Sequence, residues 1–330
     1  MGERFERVLV TGATGFVGRA LRPALLARGH ELRAASRRRT DAPFSPREHW
    51  VRCDVLQEEQ LGPALEGMDA AYYLVHSMGA AHEDFRALER RSARAFVRAA
   101  ESAGLRRIVY LGGVAPRETP SPHLASRLEV GDILRSGRVP VVELRASMII
   151  GPGSTSWQIC RDLALRLPLM VLPAWMKTRS CPIALEDAVQ ALTDALDIPL
   201  PASAWFDIPG PECLSGRDIL QRTARLYGRR VVMVDVPFLT PRLSSLWLRL
   251  VTRADFPVAR ELVRGLTGDL LPRDARYYAL TGHPPRLGFE AAARTALAAE
   301  PAGRPRGSAL AGIEERLVLR LGPPLLEGTR

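Results

Sequence analysis

The eight residues TGATGFVG, at positions 11–18, constrain the fold of this chain more than any other stretch. They follow a short apolar run, ERVLVT (6–11), and open a helical pattern from Phe16 to Arg28 that ends at Gly29, a residue suited to a helix C-cap. Pro23 falls inside that pattern and is expected to bend it or cost it a hydrogen bond. Gly12, Gly15 and Gly18 stand at G-x-x-G-x-x-G spacing. Glycines allow a tight turn and let the backbone approach a pyrophosphate. The helix N-terminus then turns its unpaired N–H groups and the positive end of its dipole toward that charge. A strand, a glycine turn and a helix, in that order, is the context a dinucleotide cradle requires. Thr14, Phe16 and Val17 lie in the same loop and join the three glycines as candidate cofactor contacts.

The rest of the first half continues the rhythm. ELRAAS (31–36), HWVRCD (49–54), AAYYLVHS (70–77), RRIVYLGG (106–113) and PVVELRAS (140–147) read as strands, separated by helical segments of which the longest is about 83–103. Strands alternating with helices imply a parallel sheet covered on both faces, a doubly wound α/β fold of the Rossmann type. After residue 150 the pattern changes to a smaller, mostly helical C-terminal region. Residues 155–170 read as helix, PIALEDAVQALTDAL (182–196) as a strand end and helix, WFDIPG (205–210) as a return to the sheet, and RRVVMVDV (229–236) as a lone strand. The expected division is a dinucleotide-binding core over 1–150, sheet completion and a substrate side over 151–300, and a tail over 301–330 that begins with a linker-like PAGRPRGSA.

The end of the second strand selects the cofactor. NAD binders usually place Asp or Glu there to hold the ribose hydroxyls. This chain has Ser36-Arg37-Arg38-Arg39 and no acid. Arginine pairs with a 2′-phosphate and stacks on adenine, so the expectation is NADP, with NADPH preferred over NADH. The bland alternative is a solvated arginine run, and Arg39 fits it. Asp54 and Val55, after the third strand, are placed to meet the adenine edge; Asp54 serves equally as a helix N-cap.

These residues carry a resemblance. TGATGFVG, the C-D-V step, D-A-A-Y-Y-L-V-H, R-I-V-Y-L-G-G, S-R-L-E-V-G-D-I-L-R and L-R-A-S-M-I-I-G-P-G-S resemble the extended and atypical short-chain dehydrogenase/reductase (SDR) superfamily. The likeness covers roughly residues 6–236 and leans to the atypical branch, which includes NmrA-like proteins and the NADPH-binding accessory subunit of mitochondrial complex I. The resemblance implies an active site of Ser or Thr, Tyr and Lys. This chain departs from it. None of its six tyrosines has Lys four residues on, and Lys177 is the only lysine. His123 and Arg127 stand at the places of the Tyr and the Lys, and Gly112-Gly113 where the Ser loop begins. Arg127 is then a candidate ligand of the nicotinamide ribose. His123 is a candidate proton donor near neutral pH, or else a cap or surface residue. Val75, His76 and Ser77, after the fourth strand, lie beside the expected nicotinamide site, where His76 or Ser77 is a further donor candidate or a core or backbone-capping residue. Asp187 reads as a helix cap or salt-bridge partner.

Three functions follow as expectations: hydride transfer to or from a small hydrophobic carbonyl, enone or quinone; a non-catalytic NADPH-binding sensor or assembly factor; and, ranked below both, a nucleotide-sugar epimerase or dehydratase. The net charge of +10 does not argue for nucleic acid, because the arginines are spread along the chain. Cys53, Cys160, Cys181 and Cys213 lie far apart with no C-x-x-C pair, so neither a metal site nor a disulfide framework is expected, and reduced thiols in a cytoplasmic protein are. No run reaches the roughly 18 apolar residues of a membrane span. The N-terminus enters a strand at once, with no signal-peptide pattern. Residues 236–266 carry arginine and apolar residues at helical spacing, which suits either peripheral membrane contact or a substrate-side helix. The sequence does not fix an oligomeric state.

Overall fold

A computed structural model describes residues 5–38, 43–75, 85–166, 169–229, 231–236 and 268–299. Its centre is a seven-stranded parallel sheet. The strands are β1 (Arg7–Val10), β2 (Glu31–Ser36), β3 (Glu48–Arg52), β4 (Ala70–Tyr73), β5 (Arg107–Gly113), β6 (Val141–Ala146) and, after four short strands outside the sheet, β11 (Ala204–Asp207). Their order is β11-β6-β5-β4-β1-β2-β3, and every neighbour pair is parallel. The strand order reverses between β1 and β4, the switch point at which such sheets leave a crevice at their carboxyl ends.

Alternation along each strand builds two cores. Val8 and Val10 of β1 face α1 (Phe16–Ala27) and α6 (Leu185–Asp194), where they join Leu21, Leu25 and Leu192. Leu9 faces the opposite layer with α2 (Glu58–Leu65), α3 (Phe85–Ser102) and α4 (Pro122–Arg135), where Leu61, Phe96 and Leu134 pack. Helices on both faces are what parallel crossovers enforce. Pro23 sits within α1, which still runs unbroken over 12 residues.

The C-terminal region adds a smaller layer at the carboxyl end of the sheet. It contains β7 (Ile149–Ile150), α5 (Thr155–Arg166), β8 (Leu169–Pro173), β9 (Arg179–Ser180), β10 (Ile183–Ala184), β12 (Leu214–Ser215), α7 (Gly216–Leu226), β13 (Val232–Val236), α8 (Tyr277–Thr281) and α9 (Phe289–Ala298). Trp157 of α5 and Phe289 of α9 are buried together in its core. Helix to residue 170 is corrected: α5 ends at Arg166 and β8 begins at Leu169, and the sequence carries a helix breaker, Pro168, between the two. The segment WFDIPG does return to the sheet, as β11.

Four reduced thiols are also corrected. The antiparallel pair β9–β12 sets Ser180 opposite Leu214, which brings the adjoining Cys181 and Cys213 together as a disulfide across a sequence separation of 32. Cys53 and Cys160 are free. Among the described residues Asp187 neither caps α6 nor makes an ion pair: its Oδ2 accepts from the backbone N–H groups of Arg286 and Leu287 at 3.0 and 2.9 Å, fastening the approach to α9. Among the described residues no helix is long and apolar enough to cross a membrane, and no group of His, Cys, Asp and Glu could hold a metal. The amphipathic 236–266 stretch beyond Val236 and the tail lie outside the described residues.

Candidate functional site

The carboxyl ends of β1 to β6 open into one cleft of about 820 Å³. Its floor is the glycine loop. Gly12 has φ +64° and lies so close to Leu74 that an added Cβ would sit 2.6 Å from the Leu74 carbonyl oxygen. An added Cβ on Gly18 would collide with the Gly12 carbonyl and lie 2.9 Å from Ala13 Cα. Both positions therefore need glycine: the first for its backbone angle and both for space. Gly15 caps α1 with no side-chain bond, which leaves the helix N-terminus open to the cleft. This is a cradle for backbone contact with phosphate. Thr14, Phe16 and Val17 line it as well.

One end of the cleft is lined by Ser36, Arg37, Arg38, Cys53, Asp54 and Val55. The Ser36 hydroxyl accepts from the Arg38 N–H at 3.2 Å and turns the chain after β2. Two guanidinium groups, with no carboxylate at the C-terminal end of β2, suit an additional phosphate better than a free ribose diol. Asp54 is not the cap of α2, which is Gln57; its Oδ1 accepts from the Leu56 N–H at 3.1 Å in a local turn, and the residue lines the cleft.

The other end is assembled from three places. Leu111, Gly112, Gly113 and Val114 leave β5, with Ser121, His123, Leu124 and Arg127 on α4 opposite. Ala146 to Ile149, Gly153 to Ser156, Ile159 and Cys160 form a second wall, and Leu270 a third. His123 is not the cap of α4; Ser121 is, accepting from the Leu124 N–H at 3.3 Å. His123 and Arg127 share the cleft-facing side of α4. Arg127 Nη2 donates to the Leu111 carbonyl at 2.7 Å. An added Cβ on Gly113 would lie 2.6 Å from Leu124 Cδ1 and 3.5 Å from Arg127 Nε, so the missing side chain makes room for Leu124, and the Arg127 side chain packs beside it.

The expected proton donation by His123 near neutral pH meets an environment that disfavours the imidazolium. Burial, and then the positive charge of Arg127, lower its pKa to about 4, so the ring is a neutral imidazole at pH 7. It offers an N–H hydrogen bond rather than an imidazolium proton. Tyrosine gives no substitute. Tyr72, Tyr73, Tyr110, Tyr277 and Tyr278 bond Leu192, Ser92, Arg127, Ala191 and Pro209 inside the protein, and burial raises the pKa of each. No tyrosine lines the cleft, and Lys177 pairs with Asp235 at 3.6 Å outside it. Ser147 and Ser154 do line it but spend their hydroxyl protons on the carbonyls of Cys181 and Ile149, at 3.1 and 2.7 Å. Burial pushes the Cys160 thiol up to about 12, which makes it a wall residue and not a nucleophile. Val75 lines the cleft; His76 and Ser77 lie outside the described residues.

Sequence reasoning missed several cleft residues. Ser147 to Ser154 had a signal, the L-R-A-S-M-I-I-G-P-G-S stretch, that went unused as a site. Ile159, Cys160 and Leu270 had none, since each reaches the cleft only through the C-terminal layer.

Residues 12–148 match a family of NAD(P)H-binding domains. A 3-beta-hydroxysteroid dehydrogenase of Mycolicibacterium neoaurum is 34% identical over 113 residues, which is 32% of this chain and only 31% of that protein's length. The ceramide reductase of Caulobacter vibrioides is 28% identical over 234 residues, 70% of this chain and 73% of that protein. The solved structure of gox2253 superimposes with a TM-score of 0.70 at 22% identity, covering 89% of this chain and 97% of that one. MoeE5 in complex with UDP-glucuronic acid and NAD does so with a TM-score of 0.68 at 18% identity, covering 88% and 97%. At these identities the structural likeness is one of fold.

Proposed function

This chain belongs to the extended and atypical short-chain dehydrogenase/reductase superfamily, and from that premise we propose that it is an NADP(H)-linked oxidoreductase acting on an uncharged, hydrophobic carbonyl, enone or quinone. Bound in the cleft, the nicotinamide supplies or accepts the hydride. The observation that carries the substrate class is the lining beyond Gly113. Val114, Leu124, Met148, Ile149, Ile159 and Leu270 form it, together with hydroxyls and His123. Among the described residues Arg127 is the one ionised group on that side, and its Nη2 is bonded to Leu111. A nucleotide sugar needs cations for its diphosphate, and this wall offers little to one. The names of the two sequence relatives, a steroid dehydrogenase and a ceramide reductase, support the same reading of an apolar substrate.

We assign the roles by position along the cleft. The glycine loop and the N-terminus of α1 take the pyrophosphate, Arg37 and Arg38 take a 2′-phosphate, and Arg127 holds the nicotinamide ribose. Neutral His123 donates a hydrogen bond to the substrate oxygen, and the proton that completes reduction comes from water. The test is NADPH absorbance followed against a panel of apolar ketones, enones and quinones, beside titrations of NADPH and NADH. Oxidation with the apolar substrates and tighter binding of NADPH are expected. Tighter binding of NADH would end the NADP(H) assignment, and oxidation only with nucleotide sugars would end the substrate class.

One observation favours a second reading, a non-catalytic NADPH-binding protein. All the proton donors of the family's site are replaced or committed elsewhere in this cleft. Tight NADPH binding without oxidation of any substrate would select it.

A further inference from the structure

Arg22 lies in the middle of α1 with its side chain fully buried. Its neighbours Leu21 and Leu25 show what an apolar residue does on this helix, which is to pack against the sheet at no electrostatic cost. A buried guanidinium does cost, and it persists only where partners compensate. Nε donates to Glu48 Oε1 at 2.6 Å and Nη1 to the Ala13 carbonyl at 3.1 Å. The guanidinium carbon also lies 4.6 Å from the Phe44 ring centroid and 4.5 Å from that of Trp50. Nη2 nonetheless has no hydrogen-bond partner among the described residues. Stability alone does not explain such a group, so the question is what the arginine does that a leucine would not.

What it does is grip the glycine loop from beneath. The Ala13 carbonyl and the Thr14 N–H belong to one planar trans peptide and point in opposite directions. Arg22 draws the carbonyl into the protein, which turns the Thr14 N–H the other way, and Thr14 lines the cleft. Glu48 at the start of β3 keeps the guanidinium in place: Oε1 takes Arg22 Nε while Oε2 accepts from the Phe44 N–H at 2.6 Å. The ion pair therefore ties three segments together, the glycine loop, α1 and the entry to β3.

We propose that Arg22 is a positioning residue for the cofactor, aiming the Thr14 amide at the dinucleotide phosphates through the Ala13 carbonyl, with Glu48 as its buried anchor. It rests on the dinucleotide reading of the cleft but not on the protein's being an active enzyme, so binding tests it. ADP probes the pyrophosphate cradle, and 2′-AMP probes the Arg37–Arg38 end without it. Both are titrated calorimetrically into the wild-type chain and into Arg22→Met, Arg22→Lys and Glu48→Gln, each below its own melting transition. Arg22→Met is expected to weaken ADP about tenfold and leave 2′-AMP within about twofold, with Arg22→Lys, which keeps one donor group, in between. A lower melting temperature with the ratio of ADP to 2′-AMP affinity unchanged would mean a structural role alone and would overturn the proposal. If Arg22→Met does not fold, the Lys and Glu48→Gln variants decide by the same ratio. The wild-type titrations separate the two levels. Binding of ADP without 2′-AMP ends the NADP(H) preference and leaves Arg22 to be judged by ADP against adenosine. Failure to bind ADP ends the dinucleotide reading itself.

Discussion

Arg127 Nη2 donates to the carbonyl of Leu111 at 2.7 Å, so the helix that faces the cleft is fastened to the last turn of the strand beneath it. The Tyr110 hydroxyl donates back to the Arg127 carbonyl at 2.9 Å, closing the link from the other side. In the proposed assignment Arg127 takes the part of the superfamily's lysine, with a guanidinium in place of an ammonium. One cation can then serve both the α4–β5 junction and a ribose hydroxyl. Arg127→Met is expected to weaken NADPH about tenfold, the worth of one charged hydrogen bond, while 2′-AMP binds as before. Arg127→Lys restores the charge without the planar fork and recovers part of the loss. Calorimetric titration of both ligands checks this. Equal losses for NADPH and 2′-AMP would show that Arg127 acts on the fold and not on the ribose.

His123 makes a pH prediction whose sign is set by its environment. Burial and Arg127 lower its pKa from 6.5 to about 4, so the folded chain resists a proton that the unfolded chain accepts. Stability from this group is fully present above the unfolded value and is lost as pH falls toward the folded one. The loss is at most about 3 kcal/mol, and less in practice because the ring is only partly shielded from solvent. Urea midpoints measured at about pH 7 and about pH 4.5 should fall further for wild type than for His123→Gln, which has no proton to refuse. Any turnover should show no break near pH 6.5 that His123→Gln removes. Such a break would restore the imidazolium as proton donor.

The glycine loop was readable because backbone geometry leaves Gly12 and Gly18 no substitute, and steric necessity shows in sequence. The strands were readable because two-sided burial demands continuous apolar runs such as RIVYLGG. The absence of a Tyr-x-x-x-Lys pair was readable by inspection. What His123 became was not, since its pKa depends on burial and on Arg127, neither of which a sequence displays. Arg22 was passed over as one arginine among many, because only the fold reveals that it is buried against Glu48. Leu270 reaches the cleft from far along the chain, beyond β9, the strand it meets at Ser180. It is pinned there by its N–H to the Arg179 carbonyl at 2.8 Å, a contact no local pattern encodes.

The disulfide gives the remaining prediction. Cys181 joins β9 to β10, and its carbonyl receives the Ser147 hydroxyl at the rim of the cleft. The Cys213 bond therefore clamps the segment that supports one cleft wall, closing a loop with a sequence separation of 32. A cross-link over a loop of that length stabilises by about 2–4 kcal/mol, chiefly by restricting the unfolded chain. Reduction with dithiothreitol, or Cys213→Ser, should lower the unfolding free energy by that amount and so lower the denaturant midpoint, with a slope unchanged or steeper because the unlinked chain exposes more surface when unfolded. The free thiols should stay silent in the folded protein, because burial raises Cys53 to about 11 and Cys160 to about 12. Thiol titration of the unfolded chain should find the two free cysteines before reduction and all four afterwards. Four reactive thiols without reductant would show that Cys181 and Cys213 are unpaired, and the clamp on this wall would then rest on the β9–β12 hydrogen bonds alone.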